Sequence, residues 1–205
     1  MENKDFLKEI AKTILVSSDR ENILKAMYKI DRKYFVKDKE LAYLNQPFDI
    51  GNNQTISQPS TVVRILQELE LKKGDDVLEV GTGSGWNAAL IAYLVNPGRV
   101  WSFEIYKDLV NFAKKNVKRF NLENLEIRRG DFREFEKDLD KIIFTAGVGK
   151  GKEQKVLDFA QSNLKEKGIL VCPHQRGPLI IARKIDGKIK QSYSFDEFVF
   201  VPLVL

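Results

Sequence analysis

The chain has 205 residues, a formal net charge of +5, 43% hydrophobic and 31% charged residues, and one cysteine. That length suits one domain with an appended element and buries most of the apolar surface of the unfolded chain, and the composition is that of an ordinary soluble globular protein. Cys172 cannot form an internal disulfide, which suits a reducing compartment. Basic residues are dispersed among acids, so a solvated mixed surface is expected and no dedicated nucleic-acid groove. The start Met1-Glu-Asn-Lys-Asp lacks the basic and apolar parts of a signal peptide, and no apolar run approaches a membrane span. A cytoplasmic protein without a membrane partner is expected.

Residues 3–30 carry two helical patterns, one through Phe6, Leu7, Ile10, Ile14 and Leu15, the other through Ile23, Leu24, Met27 and Ile30. Ser18 and Glu21 have the spacing of a capping box for the second. Residues 31–37 and 42–48 read as irregular or short-strand segments, and a polar loop, Gly51-Asn-Asn-Gln-Thr-Ile-Ser-Gln-Pro59, follows. A helix then starts at Pro59, whose missing N–H is not needed in a first turn, and runs through Val62, Val63, Ile65, Leu66 and Leu69.

From there strands alternate with helices. Strands are expected at 76–80, 99–104, 125–128, 141–145 and 168–172, with helices near 85–95, 106–120 and 152–165. This alternation implies an α/β protein with a mostly parallel sheet. Segments 179–185 and 188–195 flank Asp186-Gly187, a hairpin signal, and 198–205 reads as one more strand, so an antiparallel end is expected.

In such a sheet ligands bind beyond the carboxyl ends of the strands, where strand order reverses. The first parallel strand, Val77-Leu-Glu-Val, empties into Gly81-Thr-Gly-Ser-Gly85, where glycines let the backbone turn tightly and approach a ligand. The spacing is G-x-G-x-G, with Trp86 next, unlike the G-x-G-x-x-G of dinucleotide sites. Glu104 ends the second strand, where an acid accepts from ribose hydroxyls. Together they suggest a nucleoside without a pyrophosphate. Ser57 is open to two readings at this point: a cap for the helix at Pro59, or a hydroxyl presented to a substrate. Cys172 ends an apolar strand and reads as a small buried hydrophobe; Trp86 reads as core or pocket wall. His174, the single histidine, reads as a loop residue, and no metal-ligand cluster is visible.

Glu79-Val-Gly-Thr-Gly-Ser-Gly85 with an acid ending the next strand resembles the S-adenosylmethionine-dependent methyltransferases. Gln54-Thr-Ile-Ser-Gln-Pro59 ahead of it resembles, more narrowly, the protein-L-isoaspartate O-methyltransferases, as do Arg32-Lys-Tyr-Phe-Val, Ala42-Tyr-Leu-Asn-Gln-Pro, Ile142-Ile-Phe-Thr-Ala, Gly168-Ile-Leu-Val-Cys-Pro and Phe200-Val-Pro-Leu. The resemblance implies a Rossmann-like class I methyltransferase fold, with a seven-stranded mostly parallel sheet, an antiparallel end and an N-terminal helical extension. Residues 1–58 would form that extension and the active-site loop, and 59–205 the cofactor-binding domain. It further implies an enzyme, a monomer, that transfers a methyl group from S-adenosyl-L-methionine to the α-carboxyl of L-isoaspartyl residues in damaged proteins and peptides. S-adenosyl-L-homocysteine is the other product, and the ester closes to a succinimide that reopens partly to aspartate. Ser57 and Thr55 would hold the substrate carboxylate. Gln54, Glu79, Gly81, Thr82, Gly83, Ser84 and Gly85, Glu104, Asp131 and Phe132 would contact the cofactor, Glu104 at the ribose and the last two at the adenine.

Three segments depart from the family's pattern. Phe132 stands where the family has glycine, which either narrows the adenine pocket or stacks on the base. Gly147-Val-Gly-Lys-Gly151 and His174-Gln-Arg-Gly177 also differ, on the substrate side. The positive charge and the 147–151 and 174–177 segments leave open the same chemistry on another substrate (nucleic acid, modified peptide or small carboxylate), and a non-catalytic cofactor-binding protein is a separate alternative.

Overall fold

The computed structural model describes residues 2–13 and 19–204; Ile14, Leu15 and Ser18, used above for the first helix and the capping box, lie outside the described residues. Helix α1 (Asn3–Thr13) buries Phe6, Leu7 and Ile10, and α2 (Arg20–Lys29) buries Ile23, Ala26 and Met27. Each set recurs at three- and four-residue intervals and makes one apolar stripe, so the two helices pack together and onto the rest of the protein. Within 31–37 the chain forms a 3₁₀ turn, Arg32–Tyr34, and a second, Lys39–Leu41, lies between the two expected segments, while 42–47 is irregular and leads into a short strand at Phe48. Carboxylates explain the two turns, since Asp31 accepts from the Lys33 amide at 3.0 Å and Asp38 from the Glu40 amide at 2.9 Å.

The polar loop is a small antiparallel hairpin of β1 (Phe48–Gly51) and β2 (Gln54–Ile56). Asn52 and Asn53 at its tip have φ of 53° and 56°, the left-handed pair that a two-residue turn requires and asparagine tolerates. Helix α3 (Pro59–Leu69) follows, with Pro59 in its first turn.

The main sheet contains β3 (Val77–Val80), β4 (Val100–Glu104), β5 (Leu125–Arg129), β6 (Leu139–Phe144), β7 (Leu164–Pro173), β8 (Arg176–Ile185) and β9 (Lys188–Val199). The spatial order is β5-β4-β3-β6-β7-β8-β9, the first five parallel and the last two pairings antiparallel. Helices α4 (Trp86–Val95), α5 (Lys107–Val117) and α6 (Glu153–Asn163) make the crossovers. Strand side chains alternate between two apolar clusters: Val77, Ile143, Ile169 and Val171 pack with the N-terminal helices, α3 and α4, whereas Leu78, Ile142, Leu170 and Cys172 pack on the other face with Val156 and Ala160 of α6. Phe6, Ile30, Phe35 and Ile56 share the first cluster, so the N-terminal extension is built into the core.

The expected last strand over 198–205 is not formed as such. β9 ends at Val199, and the chain, which carries Pro202 without an amide donor, turns across the carboxyl ends of the strands. There the Gly147 amide donates to Val201 O at 2.8 Å and the Leu203 amide to Gly147 O at 2.8 Å. Among the described residues no helix is long and apolar enough to cross a membrane.

Candidate active site

Strand order reverses at β3, with β4 and β5 on one side and β6 on the other. The crevice beyond this point is where an open parallel sheet binds ligands, and the glycine turn opens into it. Gly81 and Gly83 have φ of 101° and 54°. A side chain at Gly81 would collide with the Thr145 hydroxyl, and one at Gly83 would press on Ile50. The turn is held by main-chain bonds: the Gly81 and Thr82 amides donate to Phe103 O at 2.8 and 3.2 Å. The Gly83 amide donates to Glu104 Oε2 at 3.0 Å, while Glu104 Oε1 accepts from the Ile105 and Tyr106 amides at 2.9 and 3.1 Å. The Glu104 carboxylate is thus oriented by three amides, and a carboxylate's two oxygens offer about four acceptor positions, leaving one for a ligand hydroxyl.

Two cavities meet here. One is roofed by the hairpin and the residue after it, through Gln54, Thr55, Ile56 and Ser57, and floored by the glycine turn. The other, of about 200 Å³, runs over Phe103, Gly130, Asp131 and Phe132 and is bounded by Pro202, Leu203 and Val204 of the chain end. Gln54, Gly81, Glu104 and Ala146 belong to both walls, so the strand-end acid stands at the junction. This suits an elongated ligand with a ribose in the middle.

Gln54 Nε2 donates to Asn52 O at 3.4 Å, whereas the Ser57 and Thr55 hydroxyls have no hydrogen-bond partner among the described residues. Ser57 is not the cap of α3: the N-cap position is Gln58, and the Ser60 amide is taken by Asn45 Oδ1 at 3.0 Å. The Ser57 carbonyl accepts from Arg32 Nη2 at 3.2 Å, and Ser57 lines the cavity. Thr55 is exposed on β2 and lines the same wall.

Other expected contacts are placed differently. Glu79 is completely buried behind the turn, and neither cavity includes it. Its carboxylate accepts from Ser102 Oγ and from Asn87 Nδ2 at 2.8 Å, and the Ser102 hydroxyl is shared with Thr82 Oγ1 at 2.6 Å. Burial pushes its pKa up to about 7, against the hydrogen bonds from Ser102 and Asn87. Glu79 therefore reaches the cavity through Asn87, which lines it. Thr82 and Ser84 line the first cavity, but their hydroxyls are engaged in the scaffold, Thr82 Oγ1 with Ser102 Oγ and Ser84 Oγ accepting from the Trp86 amide at 3.4 Å. Gly85 lies against Ala113 and Val117 of α5, where a side chain would crowd the helix, and it lines neither cavity.

Asp131 lines the second cavity, but Arg133 clasps both its oxygens, with Nε at 2.9 Å from each. That hydrogen bonding holds its pKa below the usual carboxylate range. Phe132 does not lie across the cavity as a loose plate. Its ring meets Phe144 and Phe159 edge-on, with centroids 5.1 and 5.0 Å away, and is nearly buried as wall and core together.

The two divergent segments form one unit. Val148 bridges His174, the Val148 amide donates to Pro173 O at 2.8 Å, and the Gln175 amide to Val148 O at 2.9 Å. His174 Nδ1 lies 2.8 Å from Pro178 O, and its ring stacks near Tyr193. Cys172 is fully buried and its thiol pKa is raised by desolvation, which suits a packing residue. Trp86 is wall and core, its Nε1 donating to Ile30 O at 2.9 Å.

A glycine cradle at the switch point, an oriented strand-end acid between two cavities and a polar hairpin over one of them define a class I S-adenosylmethionine-dependent methyltransferase. The family model described as protein-L-isoaspartate(D-aspartate) O-methyltransferase matches residues 1–205. A protein-L-isoaspartate O-methyltransferase of Thermosipho melanesiensis is 42% identical over 193 residues, 90% of this chain and 94% of that one; one from Pyrococcus abyssi is 38% identical over 202 residues, 91% and 90% of the two. A solved Plasmodium falciparum structure assigned to the same activity, in complex with S-adenosyl-L-homocysteine, superposes with a TM-score of 0.82 at 25% identity, over all of this chain and 99% of that one. The chain belongs to the protein-L-isoaspartate O-methyltransferase family.

Sequence reasoning did not single out Arg32, Asn45, Asn87 or Thr145, nor the part of Val201 through Val204 in the walls. Arg32, Asn45, Thr145 and Val201 through Leu203 lay inside stretches noted for their resemblance, which was the available signal; Asn87 and Val204 had none.

Proposed function

We propose that Ser57 and Thr55 hold the carboxylate of an L-isoaspartyl residue in the first cavity while Glu104, the glycine turn and the Phe103–Phe132 wall hold the nucleoside. The enzyme transfers a methyl group from S-adenosyl-L-methionine to that carboxylate in damaged proteins and peptides, which starts repair through a succinimide. The observation that carries the residue assignment is the release of the Ser57 hydroxyl from helix capping by Asn45.

When bound, S-adenosylmethionine supplies an electrophilic methyl group on a sulfonium. The chain's own residues have a placement task, because a carboxylate of pKa near ~4 is already ionised at neutral pH and needs no base. The Ser57 hydroxyl donates to the carboxylate and takes no proton from it. Ile56, Val62, Ile65 and Trp86 exclude water from the same cavity, and a dry site favours a reaction that cancels opposite charges. Orienting the reacting atoms about 3 to 3.5 Å apart supplies much of the acceleration. Gln54, at the junction of the cavities, and Asp131, clasped by Arg133, complete the cofactor walls; Glu79 acts through Asn87. The reading includes residues 1–58 as a covering element on a unit of 59–205, and a monomer in the cytoplasm without a nucleic-acid groove; the interleaving of acids and bases supports the last point.

The test is transfer of labelled methyl from S-adenosylmethionine to an isoaspartyl peptide beside its aspartyl twin, by the native protein and Ser57→Ala. Methylation confined to the isoaspartyl form and reduced in the variant is expected. An unchanged rate in Ser57→Ala would refute the role given to that residue, and transfer to both peptides would refute the substrate.

A further inference from the structure

Arg32 is 1% exposed, yet it forms no ion pair among the described residues. Its hydrogen bonds go to main-chain carbonyls: Nη1 to Ala42 O and Leu44 O at 3.0 Å each, Nη2 to Gln46 O at 2.8 Å and to Ser57 O at 3.2 Å. The guanidinium lies between the rings of Phe48 and Trp86, 5.3 and 5.4 Å from their centroids. It is therefore the joint of three pieces: the 42–46 loop, the hairpin that ends at Ser57, and the start of α4.

Burying a cation without a carboxylate is costly, and an apolar side chain of similar size often replaces a buried charge without loss. A buried arginine here must supply something that an apolar residue cannot. That is a rigid planar fork with donors enough for four carbonyls. Three of the four bonds stay within the 42–46 loop. The fourth reaches 25 positions along the chain to Ser57, one of the two hydroxyl residues given above to the substrate carboxylate. Asn45, within the same loop, takes the Ser60 amide on the other side of Ser57. The loop pinned by Arg32 thus brackets Ser57 from both directions.

We infer that Arg32 is a positioning residue for methyl transfer, clamping the Ser57 main chain so that its hydroxyl meets the substrate carboxylate; this rests on the role given to Ser57 above. Lysine keeps the charge but not the fork, so Arg32→Lys releases Ser57 while leaving the glycine turn and Glu104 untouched.

The experiment is a double-mutant cycle of Arg32→Lys and Ser57→Ala, reading kcat and KM for an isoaspartyl peptide and, separately, S-adenosylhomocysteine affinity by calorimetry. Rates are normalised to the cofactor-binding fraction. Arg32→Met, which avoids a stranded ammonium, serves if the lysine variant fails to fold. The expected result is a fall in kcat/KM of roughly tenfold or more, since small misplacements of reacting groups are that costly. Cofactor affinity should stay within about twofold, and Arg32→Lys should add nothing in the Ser57→Ala background, as for residues acting through one another. Additive losses, or a parallel loss of cofactor affinity, overturn the inference and leave the Ser57 reading intact. A Ser57→Ala protein as active as the native one overturns that reading, and the inference with it.

Discussion

The Gly83 amide donates to Glu104 Oε2 at 3.0 Å, so the acid that ends β4 also splints the glycine turn that follows β3. One carboxylate holds the cradle in shape and presents its remaining acceptor position where the two cavities join. On the proposed role of Glu104, cofactor binding and turn geometry are one property of this site.

Glu104→Ala removes the splint and the acceptor together. A hydrogen bond to a charged group is worth about 1.5 to 3 kcal/mol, which sets a loss of S-adenosylhomocysteine affinity of roughly ten- to a hundredfold. Glu104→Gln keeps an acceptor for Gly83 and should lose less. Calorimetric titration measures both, and native affinity in the alanine variant would refute the assignment.

Glu79 gives the protein a pH dependence. Its folded pKa of about 7 lies above the ordinary carboxylate value of 4.5, so folding favours the neutral acid. That stabilisation is complete below pH 4.5 and is lost as pH rises through 7. The shift corresponds to about 3 kcal/mol at most. Glu79→Gln carries no such proton, so the variant should gain stability relative to the native protein between pH 4.5 and pH 8. Urea unfolding across that range reads the difference; parallel curves would show that Glu79 does not titrate in this way.

Phe132 is held between Phe144 and Phe159, so its loss is first a core defect. Phe132→Ala should cost about 3 to 5 kcal/mol of stability, the range for truncating a buried aromatic. Cofactor affinity should change by less than roughly tenfold, because base stacking worth more than that would require a ring free to face the ligand. A stable variant with badly impaired binding would reverse the two roles.

Gly147 is where the chain end is tied down. A Cβ there would meet main-chain atoms of Gln175 at 2.5 and 2.6 Å, so Gly147→Ala must part the 147–151 loop from 174–177. The bonds to Val201 and Leu203 run through the same residue, and Pro202 through Val204 bound the second cavity. The Leu203 amide should exchange with solvent faster in the variant, and S-adenosylhomocysteine should bind more weakly. Native exchange at Leu203 would mean that the chain end is held by something else.

What could be read from the chain was whatever repeats at short range. The alternation of apolar runs with helical periodicity named the strands and crossovers, Asp186-Gly187 marked the β8–β9 turn and both residues do have positive φ, and the G-x-G-x-G spacing with Glu104 located the switch-point site. The polar loop was visible as chemistry but not as a hairpin, because three- and four-residue strands carry too little alternation to be told from a loop. The end at 198–205 looked like a strand for the opposite reason. Its β-rich composition is real, but Pro202 and the bonds to Gly147 decide where it lies.

The sequence by itself determined the class of fold and the place of the glycine turn, since these depend on backbone conformations that neighbouring residues impose, and its resemblance to a family supplied the cofactor. Tertiary structure alone decided which polar groups are free to act. Asn45 relieves Ser57 of capping, Arg133 occupies Asp131, Ser102 and Asn87 hold Glu79 behind the wall, and Arg32 joins the hairpin to α4. A donor or acceptor in the chain has many possible partners, and only packing brings one of them within 3 Å and keeps water from the others.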